Sequence, residues 1–468
     1  MMSTQDNAPA AKKLKIAYIG GGSRGWAWKL MSDLALEPEL GGEVRLYDIN
    51  LQAARDNTVV GARISALPES QSQWQYVASP TLAEALTGAD FVVISIVPGT
   101  FEEMASDVHA PEQYGIYQSV GDTAGPGGLM RALRTIPIYV GFAQAIREYC
   151  PQAWVINYTN PMALCTRTLF ATFPGIKAFG CCHEVFGTQK LLAAAINDVL
   201  DVPAPPREDI RINVLGINHF TWLDQASWQG MDLFPLYEQF VQKHYAEGWK
   251  DKHLENWMMK EAFFRSVHRV KFDLYRKYGL IAAAGDRHLA EFMPGSWYLR
   301  DTATVASWGF GLTPVSWREG NRVELEAQAA RLVGGEEAPT LSPSGEEGVR
   351  QIKALVGLGD FVTNVNLPNQ GQLEGAPLDA VVETNAFFSR DSVRPVAAGA
   401  LPSGLSTLVN LHIGNHETIL EAALTCDKDL AFQAFCNDPQ VRLSMDDAGT
   451  LFDQMLKNTA KYLPGWQL

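Results

Sequence analysis

The stretch Lys15-Ile-Ala-Tyr-Ile-Gly-Gly-Gly-Ser-Arg-Gly25 constrains this chain more than any other. Ile16 to Ile19 is an apolar run of strand length. Gly20, Gly22 and Gly25 follow in G-x-G-x-x-G spacing, with Ser23 and Arg24 between them, and the segment from Trp26 to Leu36 is apolar and helix-compatible. Strand, tight turn and helix N-terminus make a dinucleotide-binding fingerprint. Glycine lets the backbone approach a pyrophosphate, and the free N–H groups of the helix's first turn meet its charge. A second strand, Val44 to Tyr47, ends in Asp48. That acid falls one helix and one strand beyond Gly25, where a ribose 2′-hydroxyl needs an acceptor. An acid at that place favours NAD over NADP.

A length of 468 residues exceeds one ordinary core and predicts two closely packed domains. No apolar run is long enough to span a bilayer. The polar N-terminus lacks the apolar centre of a secretory signal and reads as a mobile arm over residues 1–13. Six cysteines in so long a chain make no disulfide framework and fit a reducing, cytoplasmic compartment. A net charge of −14 argues against nucleic acid and anionic membranes as partners, but leaves room for an acidic small substrate in a locally cationic pocket.

Further strands follow in order. Phe91 to Val97 is a buried run closed by Pro98, and its carboxyl end, with Val97 and Pro98, belongs beside the dinucleotide. Trp154 to Tyr158 leads into Asn157-Tyr-Thr-Asn160-Pro161, and Lys177 to Gly180 into Cys181-Cys182-His183-Glu184. With intervening helices these predict an α/β, Rossmann-like doubly wound sheet over residues 14–205. The proline-rich Val202 to Pro206 is the expected seam. Residues 206–468 then form a mixed α+β substrate-binding, oligomerisation and C-terminal domain. In it Ile210 to Gly216 reads as a strand, Trp257 to Tyr278 as a long helix and Gly335 to Gly348 as a mobile surface loop.

Several groups could carry chemistry. Cys182 beside His183 suits a thiolate nucleophile, a metal ligand, or simply a buried small residue. Asn218-His219 at a strand end is catalytic, metal-binding or structural. Asn157 and Asn160 either present amides at the sheet's carboxyl edge or cap a turn. Asp286-Arg287-His288 is a reactive cluster or a salt-bridged turn. The loop from Gly121 to Gly128, with Asp122, either cradles a ligand or merely connects.

Together these motifs resemble family 4 of the glycoside hydrolases, the NAD- and manganese-dependent glycosidases. The resemblance runs from Lys15 to about Phe452 and rests on the glycine fingerprint, Asp122-Thr-Ala-Gly-Pro-Gly-Gly128, Asn157-Tyr-Thr-Asn-Pro161, Cys182-His-Glu-Val185, Gly216-Ile-Asn-His219 and Asn364-x-Asn-x-Pro-Asn-x-Gly371. Within the family the chain is most similar to the bacterial α-galacturonidases. Other α-glycosides remain open as substrates: α-glucoside, α-galactoside or α-glucuronide.

The resemblance implies a redox route rather than the two-carboxylate scheme. NAD takes hydride from carbon 3, a base takes the proton from carbon 2, the glycosidic oxygen leaves, water adds, and the hydride returns. It implies Cys182 and His219 as metal ligands, Asp286 as the carbon-2 base, and His183 acting on the leaving oxygen. Gly20, Gly22, Ser23, Arg24, Gly25, Asp48, Val97, Pro98 and Asn157 would hold the cofactor. Asp122, Asn160, Arg131, Arg287 and His288 would face the substrate, an arginine taking the uronate carboxylate. The family forms homodimers and homotetramers. Two readings from other classes are an NAD-dependent hydroxyacid dehydrogenase, which would need no metal, and a non-catalytic NAD sensor.

Overall fold

The structure, a computed structural model, describes residues 11–250 and 262–467. Its centre is a nine-stranded sheet. The strands of the chain are β1 (Lys12–Ile19), β2 (Leu40–Tyr47), β3 (Trp74–Ala78), β4 (Phe91–Ile94), β5 (Trp154–Asn157), β6 (Lys177–Gly180), β7 (Ile210–Ile217), β8 (Phe220–Trp228), β9 (Met231–Asp232), β10 (Ile281–Ala282), β11 (Phe361–Pro368), β12 (Leu373–Glu374), β13 (Val381–Ser389), β14 (Ser392–Pro395) and β15 (Gly399–Ala400). The large sheet runs β14-β13-β11-β6-β5-β4-β1-β2-β3. Its six parallel strands have the doubly wound order 3-2-1-4-5-6, as the alternation of apolar strands and helices predicts. β4 and the second half of β1, Ile16 to Ile19, bury both faces, which is why those stretches are apolar without alternation.

Three expectations change. The sheet does not end at Pro205: β11 pairs antiparallel with β6 at Asn366–Gly180, and β13 and β14 continue it. The proposed seam therefore lies in the connection between a helix (Glu184–Leu200) and β7, while β11, β13 and β14 from the last third of the chain complete the dinucleotide sheet. Residues 1–10 of the expected arm lie outside the described residues, but Lys12 and Lys13 already pair with Leu40 and Gly41 in β1. Of the expected helix over 257–278, residues 257–261 lie outside the described residues. The rest is a short 3₁₀ turn (Ala262–Phe264) and, after His268 at φ 63°, a helix over Arg269–Tyr278.

The stretch Gly335 to Gly348 is irregular, as expected, but tied down. Ser342 and Ser344 bond Ser32 and Asp33 on the helix Trp26–Ala35. Glu347, 3% exposed, pairs with Arg207 at 3.0 Å. Partners from separate elements outweigh the turn-rich composition that suggested mobility.

A second sheet, β10-β8-β7 with β9 on β8, packs beside β13. Asn385 on β13 donates to the carbonyl of Ile212 at 2.7 Å, and Asn213 to that of Ala398 at 2.9 Å. This juxtaposition brings the β7–β8 turn, which is Asn218-His219, over the carboxyl ends of β5 and β6.

Candidate active site

The carboxyl ends of the parallel strands carry the site, where a doubly wound sheet opens its crevice. Past β1 the chain turns through Gly20 to Gly25. The Gly22 amide donates to Asp48 Oδ2 at 2.9 Å, and a Cβ on Gly22 would lie 2.9 Å from that oxygen, so the turn needs glycine for this close approach. The helix starting at Trp26 has no side-chain cap, and a Cβ on Gly25 would meet nothing within 4 Å. Uncapped N–H groups facing open space are what a pyrophosphate uses, so this end fits a dinucleotide. Arg24 pairs with Glu326 at 3.2 Å on a helix (Val315–Gly334) that crosses this end. Val97 is exposed, and the Pro98 carbonyl accepts from Arg134 at 3.1 Å.

Asn157 closes β5. Its amide is fully buried, accepting from Tyr139 at 2.6 Å and bonding the backbone of Thr159 in both directions, so it shapes the turn after β5 from below. Asn160 lies beside Asp122 and Arg131. Its Nδ2 lies 3.4 Å from Asp122 Oδ2, its carbonyl accepts from Arg131 at 3.1 Å, and its Oδ1 is buried without a partner among the described residues.

Asp122 precedes the helix Gly125–Tyr149, which starts within the glycine run because a Cβ at Gly128 would press on the Thr123 backbone at 2.5 Å. Partial burial opposes the charge of Asp122. Arg131, His288, His219 and the Thr123 hydroxyl more than reverse that and hold it well below the usual carboxylate range. Asp122, His219 and His288 offer ligand atoms all within 4.8 Å of one another.

Hydrogen bonds fix how His219 is presented. Thr123 has one hydroxyl proton and gives it to Asp122 Oδ1 at 2.7 Å. The same oxygen of Thr123 lies 3.0 Å from His219 Nδ1, so it accepts from Nδ1–H, and the Nε2 lone pair is left free. Burial, with His288 next in effect, lowers His219 to about 3, which keeps the ring neutral and able to ligate at neutral pH. The two rings stack at 3.7 Å. His219 has φ 64°, a conformation costing roughly 1 kcal/mol or more for a residue with a side chain. The β7–β8 pairing and the Asn218–Glu383 bond at 3.1 Å hold it there.

The set passes the test for a divalent metal. One carboxylate and two imidazoles are hard-to-borderline donors that suit manganese better than a thiolate does. His288 Nδ1 is buried with no partner among the described residues, and Asp122 and His288 are both partly open to solvent. Cys182, implied as the ligand beside His219, is not one of these three, but it sits next to Asn218, the residue that precedes His219. Its thiol faces Asn218 and Glu383, and burial, then Glu383, pushes it well above the ordinary thiol value. His183 stands at the rim, half-exposed, stacked on Trp26, with Nδ1 3.0 Å from Glu346. Partial burial lowers its proton affinity, but Glu346 and then Glu184 more than restore it, so the imidazole is held above its ordinary value.

Asp286, implied as the carbon-2 base, is deeply buried. It opens the helix Asp286–Phe292, and its carboxylate accepts from the backbone of Lys271 at 3.0 Å. Burial raises it, as a base requires; it is 0% exposed, outside the converging set, and its Oδ2 has no partner among the described residues. One residue is about 100° of helix, so His288 and Glu291 share the face that Asp286 does not. Arg287 donates to the Ser119 carbonyl at 2.7 Å and to the Thr313 hydroxyl.

Glu291, Glu184 and Glu383 were given no role from the sequence. Spacing held the signal for one of them, since Glu291 is one helical turn after His288. Its Oε1 accepts from the amides of Val120 and Gly121 at 2.7 and 2.9 Å, fixing the loop that delivers Asp122. Burial, against those two amides, raises Glu291 to about 7. The folded chain therefore binds the extra proton between the unfolded value, about 4.5, and about 7, so this group's contribution is present at low pH and lost as pH rises to 7. Glu291→Gln is expected to flatten the fall in stability between pH 5 and 7, as read from urea midpoints. An unchanged slope would remove Glu291 as its source.

Comparison with known proteins agrees with this geometry. The pattern of the family 4 glycosyl hydrolases matches residues 15–198, and that of the family's C-terminal domain matches residues 214–441. The chain belongs to glycosyl hydrolase family 4. An α-galacturonidase of Thermoanaerobacterium saccharolyticum is 60% identical over 97% of both chains. A Bacillus subtilis structure described as a putative glucosidase is 51% identical, with a TM-score of 0.90 over 95% of this chain and all of that one. A family 4 fold more distant in sequence is a 6-phospho-α-glucosidase from gut microorganisms solved with NAD and Mn²⁺, 19% identical, TM-score 0.78, covering 97% of this chain and all of that one.

Proposed function

We propose that this family 4 enzyme hydrolyses α-galacturonides with NAD and a divalent metal, manganese first among them. The observation that carries the reading is the convergence of Asp122, His219 and His288 beside Asn160 and Arg131 at the carboxyl edge of a dinucleotide-binding sheet. The 60% identical α-galacturonidase supports the sugar, and the distant relative solved with NAD and Mn²⁺ supports the cofactors. Bound NAD supplies a hydride acceptor that is restored each turnover, and the metal supplies a Lewis acid.

The chain's own groups do the rest. The glycine turn and the N-terminus of the helix Trp26–Ala35 hold the pyrophosphate, and Asp48 borders the ribose. His219 Nε2 anchors the metal. It is common to the pair with Cys182 that the resemblance implies and to the set with Asp122 and His288 that the geometry favours. Asn160, with its unpaired Oδ1, takes a sugar hydroxyl. His183 donates Nδ1–H to Glu346, and in the imidazolium form, which Glu346 and Glu184 favour, its Nε2–H is the proton for the leaving glycosidic oxygen. Asp286 braces Lys271 rather than touching the sugar. Six cysteines free of disulfides fit a cytoplasmic setting, and no helix among the described residues is long and apolar enough to cross a membrane. A homodimer or homotetramer belongs to the same reading.

The test compares aryl α-galacturonide with the matching aryl α-galactoside under saturating NAD and manganese. A preference of at least about 100-fold in kcat/KM for the uronide is expected, about what one charge-assisted recognition site provides. Equal rates on the neutral sugar would overturn the assignment.

A further inference from the structure

Two arginines beside the metal-competent cluster have no acidic partner among the described residues. Elsewhere the arginines of this chain are commonly matched: Arg24 with Glu326, Arg134 with Asp107, Arg167 with Glu417. Arg287 and Arg318 form no such ion pair, and in each the Nε is shielded from water without a hydrogen-bond partner. Leaving such donors unmet costs free energy unless a ligand meets them.

The two are held in one corner. Arg287 is fixed by the Ser119 carbonyl and the Thr313 hydroxyl, with its guanidinium 4.8 Å from the Phe264 ring centroid. The Thr313 amide donates to the same Ser119 carbonyl at 3.2 Å. Just beyond Thr313 the helix Val315–Gly334 begins, pinned where the Val315 amide meets His109 Nε2 at 3.2 Å, and Arg318 lies in its first turn. Arg318 stands just over one turn beyond Thr313, the residue that holds Arg287, and its charge depresses the proton affinity of both Arg287 and Arg131, after the larger effect of burial. The same helix meets Arg24 of the glycine turn through Glu326, about 12 Å further along its axis. It thus spans the crevice from the dinucleotide end to this corner.

The corner adjoins the cluster. Arg287 directly precedes His288, and Ser119 opens the short loop that ends in Asp122. In a pyranose, carbon 6 lies across the ring from oxygens 2 and 3. A sugar with those oxygens at the cluster therefore directs its carbon-6 substituent away from it. We propose that Arg318 and Arg287 clamp the carboxylate at carbon 6 of the uronide, and that Arg318 is the specificity-determining member. A planar guanidinium pair matches a planar carboxylate, and this anion supplies the direct ion pair that Glu291, Glu184 and Asp122, acting on Arg287 from further off, do not. The inference rests on the galacturonide reading above and adds to it a residue that the sequence motifs do not contain.

The test uses the full-length enzyme with NAD and manganese, comparing wild type, Arg318→Met and Arg318→Lys. Arg318→Met is expected to raise KM for aryl α-galacturonide about 30-fold while leaving kcat/KM for the α-galactoside unchanged or higher. Arg318→Lys should recover part of the loss. Calorimetric affinity for free galacturonate should fall by the same factor, with NAD affinity unchanged as the check on folding. A galacturonide KM within threefold of wild type, or equal losses on both sugars, would overturn the clamp. Tighter wild-type binding of galactose 6-phosphate than of galacturonate would also overturn it, in favour of a phosphate. A wild type that neither cleaves the galacturonide nor binds galacturonate would instead sink the underlying sugar assignment, and that outcome is read without any variant.

Discussion

His219→Ala is expected to lower kcat by at least about 10³-fold and to abolish tight manganese binding while the chain stays folded. A metal on a sugar oxygen gives several kcal/mol of stabilisation to developing charge. A tenfold change in rate corresponds to about 1.4 kcal/mol, so a loss of that order spans several decades. His219 is the one ligand shared by both donor sets. It is also the residue whose presentation the fold arranges most elaborately, with Nδ1 on Thr123, the ring stacked on His288 and the backbone at positive φ. Removing the ring leaves a cavity and ends its contacts with Thr123 and His288, so some stability is lost and an unchanged NAD affinity is the check that the chain stays folded. Manganese affinity by electron paramagnetic resonance, beside kcat, makes the check. A variant that retains wild-type affinity and rate within threefold would remove His219 from the metal site.

The largest stability effect is expected away from the chemistry. Arg134→Met should destabilise the chain by about 3–5 kcal/mol. Arg134 is 1% exposed on the long helix and meets Asp107 in two parallel bonds, 2.5 and 3.1 Å, while its Nε reaches the Pro98 carbonyl. Methionine fills similar space but leaves the Asp107 carboxylate buried and uncompensated. That carboxylate is already raised by burial even with Arg134 in place to oppose it. The double variant Arg134→Met/Asp107→Leu should recover most of the loss, because the cost lies in the stranded charge rather than in the missing pair. Urea denaturation of both variants decides it, and equal stability of wild type and Arg134→Met would contradict the account.

The dinucleotide half was legible because its signals are local. A glycine turn between an apolar strand and a helix reads from one short stretch, and Asp48 follows at the distance the fold requires. The sheet's other edge was not legible, since β11 joins β6 from a distant part of the chain and no local pattern encodes such a pairing. A motif also does not report side-chain direction. Asp286 and His288 are neighbours in one motif, and only His288 offers a ligand atom to the cluster. Asn157 and Asn160 share a motif, and the chain turn after β5 buries one and presents the other. The wider polar network was invisible for a related reason: Glu291 and Glu383 gain their roles from backbone amides and asparagines brought in by distant segments. Gly335 to Gly348 shows that turn-rich composition reports a lack of regular structure, not a lack of hydrogen bonds.

The central claim is a hydride that leaves the sugar and returns to it. Metal-stripped, NAD-free enzyme should be given an α-galacturonide, with NAD and manganese added singly and together, while galacturonate release and NADH absorbance are followed side by side. The account predicts galacturonate only when both are present, over many turnovers, with no matching accumulation of NADH. NADH appearing one for one with substrate consumed would make the chain a dehydrogenase, and release without either cofactor would leave the redox cycle with no part in the reaction.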